Sequence, residues 1–339
     1  MKELFGTLAS GEQAFLYTIT DGSITAVISD YGATLVKLLV PDNKGNVADV
    51  VLGYDDPNTY KDVPTFFGAV VGRNADRVGG AKFTMNGKEY AMPINDGDSH
   101  NLHSGPDYYK DRMWSVESHT KDSIRLMLLS PHGDQGFPGN AEIHVTYSLK
   151  TPGTLSLSYD AVSDQDTVFN FTNHSYFNLC GHDKPEKAMT QILSMPARFF
   201  QVADAASVPT GELRSVDGTP LDFRIPKPIG KDLNEEYDAL IFQGGYDHNF
   251  EVFTDPCAIL SDPESGRTMA VSTDCPGLQF YSGNYLSGEI GKGGVSYTRC
   301  SGVCLETEFY PDSINHPEWP QPFVKAGQRY HSQTKYIFK

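Results

Sequence analysis

The hydrophobic pattern of this chain has a period of two, which predicts strands. Ile24, Ala26 and Ile28 alternate with Thr25, Val27 and Ser29. Residues 34–40 form a β-branched and leucine run that ends at Pro41-Asp42-Asn43-Lys44-Gly45, a strong turn signal, and a second strand is expected from Val47 to Leu52. Lys82-Phe83-Thr84-Met85 and Lys88-Glu89-Tyr90 flank Asn86-Gly87, the dipeptide that suits a two-residue hairpin turn with positive φ. Farther on, Ile143, Val145, Tyr147 and Leu149 alternate with Glu142, His144, Thr146 and Ser148. After Thr151-Pro152-Gly153, Leu155, Leu157 and Tyr159 alternate with Ser156, Ser158 and Asp160, which predicts two amphipathic strands joined tightly. Helical periodicity is confined to short pieces near residues 57–61 and 231–237. With 32 glycines and 21 prolines as punctuation, and no linker or repeat, the pattern predicts an all-β protein, a large β-sandwich forming one domain over residues 1–339.

One stretch departs from the ordinary in-and-out pattern. Residues 169–179 read FNFTNHSYFNL, and as a single strand they place Phe169, Phe171, Phe177 and Leu179 on one face and Asn170, Thr172, His174, Tyr176 and Asn178 on the other. The second face carries amide, hydroxyl, imidazole and phenol groups without a formal charge, the inventory that a sugar-binding groove needs. A polar strand face beneath a neighbouring loop accounts for it equally well.

Four further segments carry candidate chemistry. Residues 303–312 read VCLETEFYPD; extended, they turn Val303, Leu305, Thr307 and Phe309 to the core and set Cys304, Glu306, Glu308 and Tyr310 on the opposite face. Two carboxylates two residues apart raise each other's pKa, which moves one toward the working range of a general base; a charged, exposed strand edge is the alternative. Arg73 and Arg77 in GRNADR follow the apolar run Phe66 to Val71, read as a buried strand, and suit either sugar hydroxyls or a structural ion pair with Asp76. Residues 95–105 form a polar loop in which His100 and His103 lack the company of a metal site, and Gly244-Gly245 precede Asp247 and His248 in a segment that could be a turn.

Charge and cysteine content narrow the partners. A net charge of −16 argues against nucleic acid or an anionic membrane surface and leaves neutral small molecules open. The start of the chain has no signal-like apolar core, no run of membrane-spanning length occurs, and a cytoplasmic location is expected. The five cysteines, Cys180, Cys257, Cys275, Cys300 and Cys304, are scattered and contain no C-x-x-C pair, so neither a disulfide framework nor a zinc site is expected.

In order along the chain, GRNADR, HNLHSG, NHSYFNL, GGYDHNF, GLQFYSGN and VCLETEFYPDSIN resemble the aldose 1-epimerase family over residues 72–315, with NHSYFNL and CLET followed by PDSIN the most specific. The resemblance implies a β-supersandwich with an open carbohydrate cleft that interconverts the α and β anomers of a free sugar such as galactose or glucose, with no cofactor and no metal. It implies Glu306 as the base that takes the anomeric hydroxyl proton, His174 as the acid at the ring oxygen, and His103 as a hydrogen-bonding group near that oxygen. Arg77, Asp76, Asp247 and Gln279 are implied in holding the other hydroxyls. It does not fix the preferred aldose or whether the protein is a monomer or a homodimer.

Interconverting hemiacetal anomers needs proton removal and donation together, which suits a carboxylate and an imidazole and requires no nucleophile. The sequence departs from the family pattern where Asp76 and Glu308 stand for usual Asn and Gln, and where Ser104 stands for a common glycine. Glu308 is expected either to raise the pKa of Glu306 or to pair with Arg77. Rival readings are a hexose-phosphate epimerase, which needs a cluster of cations, a non-catalytic sugar-binding protein, and a glycoside hydrolase using Glu306 with Asp247.

Overall fold

The computed structural model describes residues 1–339, and all of its strand ladders are antiparallel. Its largest sheet has nine strands, in the order Ser115–His119, Ser123–Ser130, Ala141–Thr151, Thr154–Ser163, Tyr330–Phe338, Thr268–Thr273, Ala258–Ser261, Ile192–Ser194 and Lys227–Pro228. A second sheet of six strands runs Tyr176–Phe177, Val303–Glu308, Gly277–Tyr281, Asp247–Glu251, Phe199–Ala203 and Pro209–Ser215. The N-terminal five strands, Lys2–Thr7 to Val47–Asp49, form a meander in chain order.

The alternation predicted from sequence builds the interior. Ile143, Val145, Tyr147, Leu155, Leu157 and Tyr336 of the nine-stranded sheet meet Leu305, Leu278, Phe280 and Phe250 of the six-stranded sheet in one cluster of 58 buried residues. Two sheets facing each other through inward-pointing alternate residues make a β-sandwich. Polar contacts pin the layers: the Tyr336 hydroxyl donates to the Leu305 carbonyl at 3.4 Å, and Thr307 is hydrogen-bonded to Thr334. With its inner face thus occupied, the Val303–Glu308 strand turns Cys304, Glu306 and Glu308 to the other side.

The expected turns form as read. Asn86 and Gly87 both have positive φ, 53° and 76°, and join Lys82–Met85 to Lys88–Ala91. Pro152 and Gly153 close the tight connection between the Ala141–Thr151 and Thr154–Ser163 strands. The helix near residues 57–61 is present as Pro57–Asp62, with Pro57 at its first turn and the Asp56 carboxylate accepting from the Asn58 and Thr59 amides.

Four expectations are corrected. No α-helix covers residues 231–237: a 3₁₀ turn at Ile229–Lys231 ends there and the α-helix is Asp238–Gln243, where Ala239 and Leu240 supply the apolar contacts. Residues 66–71 are not one strand, since Phe66 and Gly68 take left-handed φ values of 59° and 65° and only Val70–Val71 pairs. The expected Val47 to Leu52 strand ends at Asp49. Residues 169–179 are not one strand either: Asn170 bridges Asn74, Thr172–Asn173 pairs with Val70–Val71, and Tyr176–Phe177 pairs with Val303–Glu308. With the bridge from Phe177 to Val51, four different partners across eleven residues break the continuous extension that the pattern suggested.

Gly68 and Gly87 share a left-handed backbone but differ in their surroundings. A Cβ on Gly68 falls 2.1 Å from the Leu35 carbonyl oxygen, whereas one on Gly87 meets nothing within 4 Å. Gly87→Ala is therefore expected to cost about 1 kcal/mol from backbone conformation alone, and Gly68→Ala at least about 2 kcal/mol more, in urea unfolding midpoints of the two variants.

Candidate active site

The six-stranded sheet arranges its outward side chains in cross-strand rows. Tyr176 stands opposite Cys304, Cys304 opposite Tyr281 and Tyr281 opposite Asp247; one step along, Glu306 stands opposite Gln279 and Gln279 opposite Asn249. Over these rows lies a cavity of about 170 Å³, walled by Pro64, Thr65, Phe66, Asp76, Arg77, Leu102, His103 and His174 and rimmed by Tyr285 and Leu286. All seven residues singled out from the sequence, Glu306, His174, His103, Arg77, Asp76, Asp247 and Gln279, line this one cavity.

Apart from Arg77 and Leu102, which sit in two-residue strands, the wall residues lie outside the strands. Phe66, Asp76 and His103 have φ values of 59°, 58° and 53°, and Ser104 follows at 60°. Left-handed backbone at non-glycine residues costs on the order of 1 kcal/mol each, so the surrounding contacts must hold them. The pairing of Asn101–Leu102 with Arg77–Val78 does this: the His103 amide donates to the Asp76 carbonyl and the Asp76 amide donates to His103 Nδ1, both at 3.1 Å. Because Nδ1 accepts that bond, the neutral His103 ring carries its proton on Nε2. Burial, with the neighbouring His174 and Arg77, holds His103 well below the usual imidazole range, so it is neutral at pH 7.

His174 lies between the rings of Tyr176 and Phe66, with centroids at 5.1 and 5.7 Å and both pairs stacked. Its Nε2 is 3.7 Å from Glu306 Oε1 and its Nδ1 is 3.5 Å from Cys304 Sγ. Burial lowers the imidazole to about 4. Glu306 moves the opposite way: burial first, then the charges of Asp76 and Asp247, push its carboxyl well above the usual range. The strand that carries it is paired on both sides, by Tyr176–Phe177 and by Gly277–Tyr281, so the exposed charged edge is ruled out.

Around the other hydroxyl-binding candidates, Gln279 Nε2 donates to Asp247 Oδ1 at 2.8 Å. Arg77 Nε donates to Asp96 Oδ2 at 3.0 Å, and its Nη1 lies 3.6 Å from Asp76 Oδ1. Arg77 thus pairs with Asp76 and Asp96 and not with Glu308. Arg73 is elsewhere: fully buried, it donates to the carbonyls of Pro138, Gly139 and Ser130 and serves the interior. His100 leaves the cavity to accept from the Gly80 amide, and His248 accepts from the Asp247 amide behind the sheet face. Of the polar residues in 169–179, His174 and Tyr176 reach the cavity, while Asn170 and Asn178 bond to backbone groups.

Asp96, Tyr281, Tyr285 and Phe66 were not singled out by sequence reasoning. Asp96 sits in a loop dense in polar residues and only its contact with Arg77 distinguishes it; the two tyrosines stack at 6.4 Å on the rim, and Tyr285 is exposed. Tyr281 lies within GLQFYSGN and Tyr285 directly follows it, which was the available signal. His174, Cys304 and Glu306 also bring ligating atoms within 4.8 Å of one another. The thiol lies on the Nδ1 side of the ring and the carboxylate on the Nε2 side.

A family model described as aldose 1-epimerase matches residues 16–337. The galactose mutarotase of Bos taurus is 36% identical over 343 residues, covering 99% of this chain and 98% of that protein. The aldose 1-epimerase of Haemophilus influenzae is 37% identical over 316 residues, covering 91% of each. Among solved structures, an aldose epimerase homologue from C. elegans matches with a TM-score of 0.88 at 29% identity, over 96% of this chain and 99% of that one. A galactose 1-epimerase from Lactobacillus acidophilus matches at 0.86 and 26% identity, over 100% and 98%.

Asp76 gives a stability prediction with a definite sign. Burial raises its carboxyl to about 6, against the opposing pull of Arg77. A carboxyl raised on folding contributes stability that is present below about pH 4 and lost as pH rises through 6. Asp76→Asn removes this loss, so the variant is expected to gain on the parent by on the order of 1 kcal/mol between pH 5 and pH 8 in urea unfolding, and a gap that narrows contradicts the assignment.

Proposed function

The chain belongs to the aldose 1-epimerase family, and on that footing we propose how its own residues carry the reaction. It is an isomerase that interconverts the α and β anomers of a free aldose. In our reading Glu306 is the base at the anomeric hydroxyl and His174 the acid at the ring oxygen. His103 Nε2–H donates near that oxygen, and Arg77, Asp76, Asp247 and Gln279 hold the remaining hydroxyls. Galactose and glucose are the substrates we assign, galactose because it appears in the names of the relatives. Residues 1–339 act as one domain in this reading, supported by a core cluster that runs from Tyr17 to Phe338. A reducing, cytoplasmic location fits five cysteines that are all free thiols, and no helix is long and apolar enough to cross a membrane.

The observation that carries the mechanism is the pairing of Glu306 with His174 at 3.7 Å inside a buried cavity. Burial makes the carboxylate a stronger base and the imidazolium a stronger acid than either is in water. Before a sugar binds, both groups rest neutral, with one proton on Glu306. Sugar hydroxyls that donate to the carboxylate and a ring oxygen that accepts from the imidazolium favour moving that proton to His174. The base then removes the anomeric proton as the acid protonates the ring oxygen, and the hemiacetal opens to the aldehyde. Rotation about the bond next to the carbonyl offers its other face, and closure runs the two transfers backward. The pair ends with its proton where it began.

A phosphorylated substrate finds little here, since Arg77 is the single arginine of the lining and Asp76 and Asp96 already engage it. The test is polarimetry of freshly dissolved α-D-galactose and α-D-glucose, in which the protein is expected to speed decay to an unchanged final rotation. Glu306→Gln is expected to lower kcat by at least about 10²- to 10⁴-fold while sugar affinity by calorimetry stays near that of the parent. Near-normal turnover in that variant would remove Glu306 from the role of base.

A further inference from the structure

Glu308 lies two residues beyond Glu306 on the same face of its strand, is 1% exposed, and its Oε1 meets no hydrogen-bond donor in the chain. The charged groups that reach it are Asp76 from the turn before Arg77–Val78, Glu306 from its own strand and Asp247 from the Asp247–Glu251 strand, all of one sign. Cys275, ahead of Gly277–Tyr281, is a further titratable group that would feel a charge on Glu308. Arg77, the guanidinium of this region, is committed to Asp76 and Asp96. Opposite Glu308 in the register stands Gly277, and the space a side chain there would fill is taken by Asn249, whose Oδ1 lies 2.5 Å from the position of a Cβ. Neither polar atom of that amide, Oδ1 or Nδ2, has a partner.

An ionised carboxylate buried among like charges with no donor bonded to it costs several kcal/mol, whereas a neutral acid can both donate to and accept from an amide whose Oδ1 and Nδ2 are unmatched. We propose that Glu308 is a positioning residue that keeps its proton through the catalytic cycle and, as a neutral acid, leaves Glu306 the one carboxyl of its strand that exchanges a proton with the sugar. Glu306 is the member that ionises because it lines the cavity and faces His174, while Glu308 lies outside the lining. Burial and the three neighbouring acids drive the Glu308 carboxyl upward, in the same sense. Were Glu308 charged, its repulsion would hold the proton on Glu306 and oppose its work as a base. The inference rests on the reading of Glu306 as that base.

Infrared difference spectra at pH 7, parent against Glu308→Gln, are expected to contain the carbonyl stretch of a protonated carboxyl that the variant lacks. The pH profile of mutarotation in Glu308→Gln is expected to keep its limbs within about half a unit, because one neutral group replaces another. A missing band, or a limb moved to lower pH by about a unit or more, means that Glu308 carries charge and overturns the proposal. Should Glu308→Gln fail to fold, NMR of chain labelled with ¹³C at the glutamate carboxyls reads the same charge state directly. Two carboxyls in the protonated position at pH 7 in the sugar-free parent, one of them retained in Glu306→Gln, support the proposal, and none retained in Glu306→Gln overturns it. The spectroscopic readouts need no turnover, so a loss of activity alone counts against the reading of the site and not against the charge state of Glu308.

Discussion

A strand paired on both edges and covered on both faces has nowhere to put a charged side chain except out of water. The Val303–Glu308 strand is in that position: Leu305 and Thr307 are taken up by the nine-stranded sheet, so the period of two forces Cys304, Glu306 and Glu308 to the other face beneath the cavity walls. The unusual proton affinities of the site follow from this placement. Glu306, Glu308, Asp76 and Asp247 are all raised, with burial the largest cause in each case, and Arg77 is the guanidinium set against them.

What the sheet supplies in depth, the turns supply in direction. A strand lets a side chain stand up or down but not lean across, and a cavity needs walls as well as a floor. Phe66, Asp76 and His103 project from left-handed turns, and the short pairing of Asn101–Leu102 with Arg77–Val78 ties two of these turns together. The reciprocal amide bonds between Asp76 and His103 then fix both the place of the imidazole and the nitrogen that carries its proton. Loss of the Gly68 turn would reach the site by the same route, since its amide donates to the His174 carbonyl at 2.9 Å.

The parts legible in the sequence are those in which one local rule decides. The hairpins at Asn86-Gly87 and Pro152-Gly153 are set by turn chemistry and alternation within a few residues, and the structure follows them. Residues 169–179 mislead because their alternation is real for the phenylalanines, which all enter the core, while their backbone pairs with four separate partners. The helix near 231–237 fails for a similar reason: charged residues allow a helical period there, but the apolar anchors Ala239 and Leu240 lie beyond it. Within the site, residues in matched motifs could be named, whereas Asp96 takes its meaning from an arginine nineteen positions away. Arg73 shows the converse, a motif residue next to the site whose donors are wholly consumed by interior carbonyls.

A neutral sugar that isomerises to a neutral sugar leaves the charge of its pocket the same before and after. That sets a limit on any pair proposed to catalyse it: one group must gain the proton the other loses, and the pair must be able to return it. Two groups of ordinary pKa in water could exchange a proton but would gain little by it, because solvent competes at every step. Burial shifts Glu306 up and His174 down and removes both from competing water, so each answers to the other and to the substrate. Such a pair works only while nearby charges hold still. An acid two residues along the same strand face that ionised within the same range would couple its titration to theirs, and the single guanidinium of the region has no further charge to set against it. The departure of this sequence at position 308 from the usual neutral amide is therefore compatible with the reaction on one condition, that the acid there behaves as an amide does and stays uncharged.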